Sequence, residues 1–226
     1  MIKKEFGIVT IGQIPRPDIS HTVEKLLGLQ FNPVIAGALD ELTIKDIPEV
    51  DIKKYLLMTS MKDDSGNRVS IKVSRGFLVP LIQKRINELE NEVDVIMIWC
   101  AGRFPEFKSK AIIVRPSEVL KGTIEGIISK GKIGVVYPGE EQLIWAEEEW
   151  KRDKVEVYAD TLIRIKSREE AVKELAQRLS RKDLDIVLLN CASFGQDMKT
   201  IIRSVTAKPV IQANVLALNV VRELLE

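Results

Sequence analysis

The chain is poor in the residues on which several common kinds of site depend. It contains two cysteines and one histidine in 226 residues. A disulfide framework needs more cysteines, so reduced thiols are expected. A structural zinc site needs clustered Cys and His ligands, and neither a Cys-x-x-Cys motif nor a His cluster occurs. The single histidine, His21, is far in sequence from both cysteines and reads as a solvated helix residue, so a Cys–His dyad is unsupported. We therefore predict no metal site.

Other absences narrow the classes of partner. Neither G-x-G-x-x-G nor G-x-x-x-x-G-K-[ST] occurs, so the common nucleotide-binding motifs are missing and we expect no cofactor. The net charge is +1, which gives no electrostatic basis for binding nucleic acid or an anionic membrane. No apolar run approaches the length of a membrane span, and no signal-peptide pattern is seen. The expected location is the cytoplasm.

Buried apolar runs alternate with amphipathic segments along the chain. This alternation predicts an α/β protein with mainly parallel sheets and flanking helices. The predicted strands are 6–11, 33–37, 55–61, 68–73, 93–100, 111–114, 132–137, 154–158, 184–191 and 209–211. The predicted helices are 18–27, 74–90, 116–130, 139–151, 167–181, 196–205 and 214–225.

The order of these elements repeats. Residues 7–12 (GIVTIG) parallel residues 134–139 (GVVYPG), an offset of 127, whereas the two cysteines are 91 residues apart. The first half therefore carries 127 − 91 = 36 additional residues, most of which a hairpin over 51–73 would supply. We predict two similar α/β lobes with a hairpin insertion in the first. The first lobe is 1–114 plus 212–226, with the C-terminal helix returning to it, and the second is 115–211.

The two cysteines close two matching buried strands. Cys100 ends VDVIMIWC, Cys191 ends LDIVLLNC, and each is followed by alanine. In open α/β sheets, ligands bind beyond the carboxyl ends of the strands. A buried cysteine also packs well as a small hydrophobic residue, which is the alternative for each one taken alone. The matched placement of both favours a functional role, and favours it more for Cys191.

Two thiols on opposite sides of one carbon suit proton transfer without a cofactor. One thiolate takes the proton from Cα, and the other thiol returns a proton to the opposite face. The positive end of a helix stabilises a thiolate. Ser193 is a candidate cap for the helix after Cys191, and Gly195 lets backbone N–H groups approach a ligand. Cys100 precedes a loop with Pro105, so it has less support from a helix.

Such chemistry also needs donors for the charge that develops on the substrate carboxylate. The first candidates follow the first strand and include Arg16, which lies between two prolines. A rigid connecting turn is the alternative for residues 12–17. Asn214 reads as a helix N-cap, a ligand contact or both. The predicted substrate-binding residues are Thr10, Gly12, Gln13, Arg16, Gly139, Ala192, Ser193 and Asn214.

Segments spread over nearly the whole chain resemble the AroM family. This family is small, bacterial and archaeal, and has no established biochemical activity. The segments are TIGQIPRPD (10–18), LMTSM (57–61), GNRV (66–69), RPSEVL (115–120), LNCASFGQ (189–196) and QANVLA (212–217).

The cysteine strands are also similar, more distantly, to those of the aspartate/glutamate racemase superfamily. That resemblance implies two similar α/β lobes, each contributing a cysteine, and a final helix that packs on the first lobe. Members racemise amino acids or hydantoins, isomerise maleate or decarboxylate arylmalonates, mostly without a cofactor. By resemblance, Cys100 and Cys191 are the catalytic pair, and the turns at 10–13 and 137–140 face the substrate carboxylates.

The chain departs from the racemase pattern next to both cysteines. Cys100 is followed by Ala-Gly instead of Asn-Thr, and Cys191 is followed by Ala-Ser instead of Thr-His. A single-thiol isomerase or lyase using Cys191 therefore stays open beside a two-thiol enzyme. The leading hypothesis is a cofactor-independent racemase- or isomerase-like enzyme acting on a small carboxylate, an amino acid or a diacid, in an interlobe cleft. The alternative is a non-catalytic small-molecule-binding protein that keeps the cleft. A homodimer is compatible with the sequence, since symmetric pairs are the commonest oligomers.

Overall fold

The structure is a computed structural model that describes residues 4–50, 55–162 and 167–226. The chain divides into two compact units. The first comprises Met1–Pro116 and Val215–Glu226, and the second comprises Ser117–Asn214. The sequence analysis placed both breaks two or three residues earlier. Within the described ranges, no helix combines the length and the apolar character that crossing a bilayer requires.

The first unit is built on a four-stranded parallel sheet with the order β2-β1-β5-β6. A separate antiparallel hairpin, β3-β4, lies in sequence between β2 and β5, which confirms the insertion in the first lobe. Residues 51–54 of the predicted insertion lie outside the described residues. The elements are β1 (Lys4–Thr10), α1 (Pro17–Leu27), β2 (Phe31–Gly37), β3 (Leu56–Lys62), β4 (Arg68–Ser74), α2 (Arg75–Leu89), β5 (Val95–Trp99) and β6 (Ile112–Val114).

The second unit has a four-stranded parallel sheet with the order β10-β9-β7-β8. Helix α3 (Pro116–Ile127) leads into it, and helix α7 (Ala213–Leu225) follows its last strand. The elements between them are β7 (Gly131–Tyr137), α4 (Ala146–Trp150), β8 (Val155–Thr161), α5 (Arg168–Ser180), β9 (Ile186–Leu189), α6 (Gln196–Thr206) and β10 (Val210–Gln212).

The two sheets share one topology. When the strands of each sheet are numbered in chain order, both have the spatial order 2-1-3-4. The first strand is therefore flanked by the second and third, which are reached by crossovers in opposite directions. The predicted α/β fold with two similar parallel-sheet lobes is confirmed.

Local sequence explains where several helices begin and end. Pro17 opens α1, where a missing N–H costs nothing, and Gly28 follows its end with a φ of 97°. Ser167 caps α5 by accepting a hydrogen bond from the Glu170 N–H at 3.2 Å, while its hydroxyl donates to the Glu170 carboxylate. These capping signals are readable from the sequence, so the starts of these helices are local properties of the chain.

One predicted helix differs from the structure. Residues 139–151 were expected to form a single α-helix, but Glu140–Trp145 is a 3₁₀ segment and only Ala146–Trp150 is α-helical. The reason is tertiary. Glu149 is buried and accepts a 2.6 Å hydrogen bond from the Tyr137 hydroxyl at the end of β7. This contact directs the segment back to the sheet, which local helix propensity does not encode.

The backbone conformation of Gly131, at the start of the first strand of the second sheet, predicts that a substitution there lowers stability. It opens β7 with a φ of 127°, and an added Cβ would meet the Asp185 carboxylate. We expect Gly131→Ala to lower the free energy of unfolding by about 1–3 kcal/mol, because the backbone angle is strained for any other residue. Gly122→Ala, in α3, is the matched control, since nothing lies within 4 Å of its added Cβ. Urea denaturation of both variants checks this, and equal stabilities would contradict it.

Candidate active site

The two cysteines occupy equivalent positions in their respective sheets. Gly7 of β1 pairs with Ile96 of β5, and Gly134 of β7 pairs with Val187 of β9. Each cysteine lies four residues beyond that partner, since 100 − 96 and 191 − 187 are both 4. Both follow the third strand where it borders the first, which is the switch point at which open α/β sheets bind ligands. Both thiols are partly exposed.

The Cys100 sulfur receives a backbone hydrogen bond. The Gly102 N–H donates to Cys100 Sγ at 3.3 Å, and the Cys100 N–H donates to the Ile98 carbonyl at 2.8 Å. An added Cβ on Gly102 would meet a methyl group of Leu57 in the hairpin, so the turn packs closely against β3. The thiol also packs against the hydrophobic core of the first unit.

The Cys191 sulfur lies 3.0 Å from the Ser193 hydroxyl oxygen. The prediction that Ser193 caps the following helix is wrong. Gly195 is the N-cap of α6, in extended conformation and without a side-chain cap. Ser193 lies in the turn between β9 and α6, two residues before the N-cap, and its hydroxyl contacts the thiol instead.

Buried amide side chains hold the turn after Cys191. Asn214 Nδ2 donates to the Ala192 carbonyl at 3.1 Å, and Gln212 Nε2 donates to the Phe194 carbonyl at 2.9 Å. Asn214 is the second residue of α7 and therefore not its N-cap. Because the amide nitrogens face carbonyls, the oxygens Asn214 Oδ1 and Gln212 Oε1 point elsewhere, and neither has a hydrogen-bond partner among the described residues. Gln212 was not among the predicted site residues, although a polar residue that closes an apolar strand is a signal in the sequence.

Gln13 is committed to backbone contacts in the first unit. Its Nε2 donates to the carbonyls of Leu39 and Leu42 at 3.0 and 2.7 Å, and its Oε1 accepts the Lys62 N–H at 2.8 Å. An added Cβ on Gly12 would meet the backbone and side chains of β3. The loop after β1 is thus tied to the hairpin, as in the alternative reading of a rigid connecting turn.

Arg16 forms a two-bond pair with Asp18. Its Nε and Nη2 donate to the two carboxylate oxygens at 2.8 and 2.6 Å. Its Nη1 donates to Thr10 Oγ1 at 3.4 Å. The hydrogen bonds from Arg16, opposed by partial burial, hold the pKa of Asp18 below its ordinary value. The pair brings a charged side chain to the end of β1, beside the strand that precedes Cys100.

Two residues that the sequence analysis did not select shape this loop. Arg68, on the hairpin, donates to the carbonyls of Gln13 and Pro15 at 3.1 and 2.9 Å. Asp40 accepts the Ile14 N–H at 2.8 Å, and the Ile14–Pro15 peptide bond is cis. These contacts join segments about 26 to 55 positions apart in sequence, and no local pattern signals them.

Within the first unit the structure therefore brings together Thr10, Gly12, Gln13 and Arg16 near the end of β1. Within the second unit it brings together Cys191, Ala192, Ser193 and Asn214 beyond β9. Gly139 lies beyond β7, the neighbour of β9, where its carbonyl accepts the Gln142 N–H at 3.2 Å. Among the described residues, no group of three or more Cys, His, Asp or Glu side chains is arranged to hold a metal ion.

Solved structures with a similar fold include racemases and a decarboxylase. A glutamate racemase from Francisella tularensis subsp. tularensis SCHU S4, in complex with D-glutamate, superposes with a TM-score of 0.59 at 16% identity, covering 100% of this chain and 82% of its own. An aspartate racemase from Picrophilus torridus gives 0.56 at 15% identity, with coverage of 97% and 94%. Unliganded arylmalonate decarboxylase gives 0.60 at 10% identity, with coverage of 99% and 92%. The chain thus has the aspartate/glutamate racemase fold.

The family can be stated more narrowly. The family model described as AroM protein matches residues 6–225, so this chain belongs to the AroM family. The resemblance seen in the sequence motifs is confirmed. No curated protein sequence matches the chain significantly.

Proposed function

We propose that this protein is a cofactor-independent racemase- or isomerase-like enzyme that acts on a small carboxylate through cysteine thiols. The observation that carries the proposal is the equivalent placement of Cys100 and Cys191, each four residues past the strand residue that faces a matching glycine. Both cysteines pack against the hydrophobic cores of their units and yet remain partly exposed, so they are accessible to a ligand. The racemase fold supports this class of chemistry. At 16% and 15% identity, the fold does not indicate which substrate this chain binds.

The proposed reaction begins with proton abstraction next to the carboxylate. The Cys191 thiolate takes the proton from Cα and becomes a thiol, while the electron pair of the C–H bond moves into the carboxylate to form an enediolate. If the Cys100 thiol returns a proton to the opposite face, the product is the mirror image and Cys100 is left as the thiolate. If Cys191 returns the proton to the same face, Cα regains its configuration. If the substrate has a double bond between Cβ and Cγ, returning the proton to Cγ instead moves the double bond to Cα and Cβ. All atoms and charges balance without a cofactor.

The surroundings of each sulfur support this role. The Gly102 N–H donates to Cys100 Sγ, and a hydrogen bond to a sulfur anion is stronger than one to a neutral thiol. Cys191 contacts the Ser193 hydroxyl, which is able to donate to a thiolate or accept from a thiol. A group that alternates between the two states during turnover needs such a partner. We therefore propose Cys191 as the principal base and Cys100 as its partner.

Solvent exchange tests the proposal. The protein is incubated in deuterated water with both enantiomers of aspartate and glutamate and with methylsuccinate. We expect proton NMR to show loss of the signal next to the carboxylate for at least one compound, and no loss with the Cys100→Ser/Cys191→Ser double variant. If no compound exchanges faster than with the double variant, the enzymatic proposal is wrong.

A non-catalytic binding protein is the second candidate, and the packing of both cysteines against the hydrophobic cores of their units favours it. In that case at least one compound raises the melting temperature of the wild type and of the double variant equally, with no exchange. Thermal shift measurements on the same compounds separate the two candidates. Equal stabilisation accompanied by thiol-dependent exchange would favour the enzyme.

A further inference from the structure

Two N–H groups of the Arg16 guanidinium have no hydrogen-bond partner among the residues that the structure describes. A guanidinium carries five N–H donors. Asp18 takes the Nε–H and one Nη2–H, and Thr10 Oγ1 takes one Nη1–H. One N–H on each terminal nitrogen therefore has no partner among the described residues. These two nitrogens form the end of the guanidinium, and this end can donate two parallel hydrogen bonds to a carboxylate.

This end of Arg16 is held in place on both sides. Asp18 occupies the edge formed by Nε and Nη2, which fixes the plane of the group. Thr10 is fully buried, and its hydroxyl holds Nη1 from the sheet side. The Arg16 side chain itself is only 15% exposed. An arginine that is fixed before binding loses less entropy when it binds, so the arrangement suits recognition.

The position of the group connects it to the candidate active site of the first unit. Thr10 pairs with Trp99, which directly precedes Cys100. Arg16 reaches Thr10 from the loop after β1, so its guanidinium lies at the switch point of the first sheet. The hairpin residue Arg68 fixes the carbonyl of Pro15, directly before Arg16. The loop is therefore clamped on its hairpin side as well.

We propose that Arg16 is the anchor for the substrate carboxylate and that Asp18 is the residue that positions it. The ligand class is a small carboxylate whose two oxygens are taken end-on by Nη1 and Nη2. Thr10 acts through Arg16, as a second positioning residue. The inference rests on the proposed function for the nature of the ligand, and it adds a positioning role for Asp18.

Calorimetric titration of the Cys100→Ser/Cys191→Ser double variant tests this assignment without catalysis. The probes are malonate, succinate, L-aspartate and L-glutamate, each compared with its amide: malonamide, succinamide, L-asparagine and L-glutamine. We expect at least one carboxylate to bind, and Arg16→Lys to raise its dissociation constant about tenfold or more, because lysine cannot form the two parallel bonds. Binding of the matching amide should change much less.

Asp18→Asn should weaken carboxylate binding in the same direction, and Asp18→Glu should restore part of it, whereas a merely structural role would affect acid and amide equally. Glu156→Gln and Arg181→Lys, on exposed positions of the second unit, are the matched controls. The inference is wrong if none of the four carboxylates binds, or if the best of them binds Arg16→Lys as tightly as its parent. If binding follows Arg16 while the wild type shows no exchange, the anchor stands and the proposed catalysis fails.

Discussion

Cys191→Ser is expected to lower the rate of solvent exchange by about 10²–10⁴-fold, the contribution that a positioned acid or base makes. A serine hydroxyl is far less acidic than a thiol, so it cannot replace the thiolate as the base. The volume and the contact to Ser193 change little, which keeps the turn intact. Proton NMR in deuterated water, with the best compound of the panel, measures the rate.

Cys100→Ser decides between one thiol and two. In a two-thiol racemase, the variant loses inversion but keeps exchange at Cα of one enantiomer. In a single-thiol enzyme, it keeps both the exchange and the reaction.

Ser193→Ala removes the hydroxyl contact of Cys191 and should lower the rate of solvent exchange less than Cys191→Ser does. If Cys191→Ser exchanges as fast as the wild type while Cys100→Ser does not, the assignment of Cys191 as principal base is wrong.

Arg178→Met is expected to lower the free energy of unfolding by about 3 kcal/mol, the range seen when one partner of a largely buried ion pair is removed. Arg178 Nε and Nη2 donate to the two oxygens of Asp160 at 3.0 and 2.9 Å, and Nη2 also donates to the Thr161 carbonyl at 2.8 Å. The Asp160 side chain is 12% exposed. Hydrogen bonding to Asp160 raises the pKa of Arg178.

Arg178→Met lowers the free energy of unfolding because it leaves the Asp160 carboxylate buried without its cation. Adding Asp160→Asn to Arg178→Met should recover part of the stability, since the second change removes that charge. Arg181→Met, on an exposed residue one turn further along, should change the stability by no more than about 0.5 kcal/mol. Urea denaturation at pH 7 compares the four proteins. Arg178→Met and Arg181→Met with equal stability would contradict the expectation.

The cysteine strands show how far local pattern carries. A buried apolar run that ends at a cysteine is readable from the sequence, and so is its repetition 91 residues later. The structure adds the register, with Gly7 opposite Ile96 and Gly134 opposite Val187. Register depends on which strands become neighbours, a property of the whole sheet. The equivalence of the two thiols was therefore a hypothesis from the sequence and became a geometric statement only with the strand pairing.

The loop after β1 shows where local pattern stops. The sequence marks residues 12–17 as constrained and places Gln13 and Arg16 there as ligand candidates. It does not reveal that the side-chain amide of Gln13 is hydrogen-bonded to backbone groups of Leu39, Leu42 and Lys62. Those partners are backbone groups 26 to 49 residues away, and they meet Gln13 only through the tertiary packing of the segment after β2 and of the hairpin.

By itself, the sequence determined the α/β class, the two-part repeat, the hairpin insertion and the family, because periodicity, capping residues and motifs are properties of short segments. The tertiary structure alone decided the strand order 2-1-3-4 in both sheets and the division of 139–151 into a 3₁₀ segment and a short helix. It also decided which hydrogen-bond donors near the cysteines are already occupied. Satisfying a buried polar group depends on partners that folding brings from distant parts of the chain, and a linear pattern carries no record of those partners.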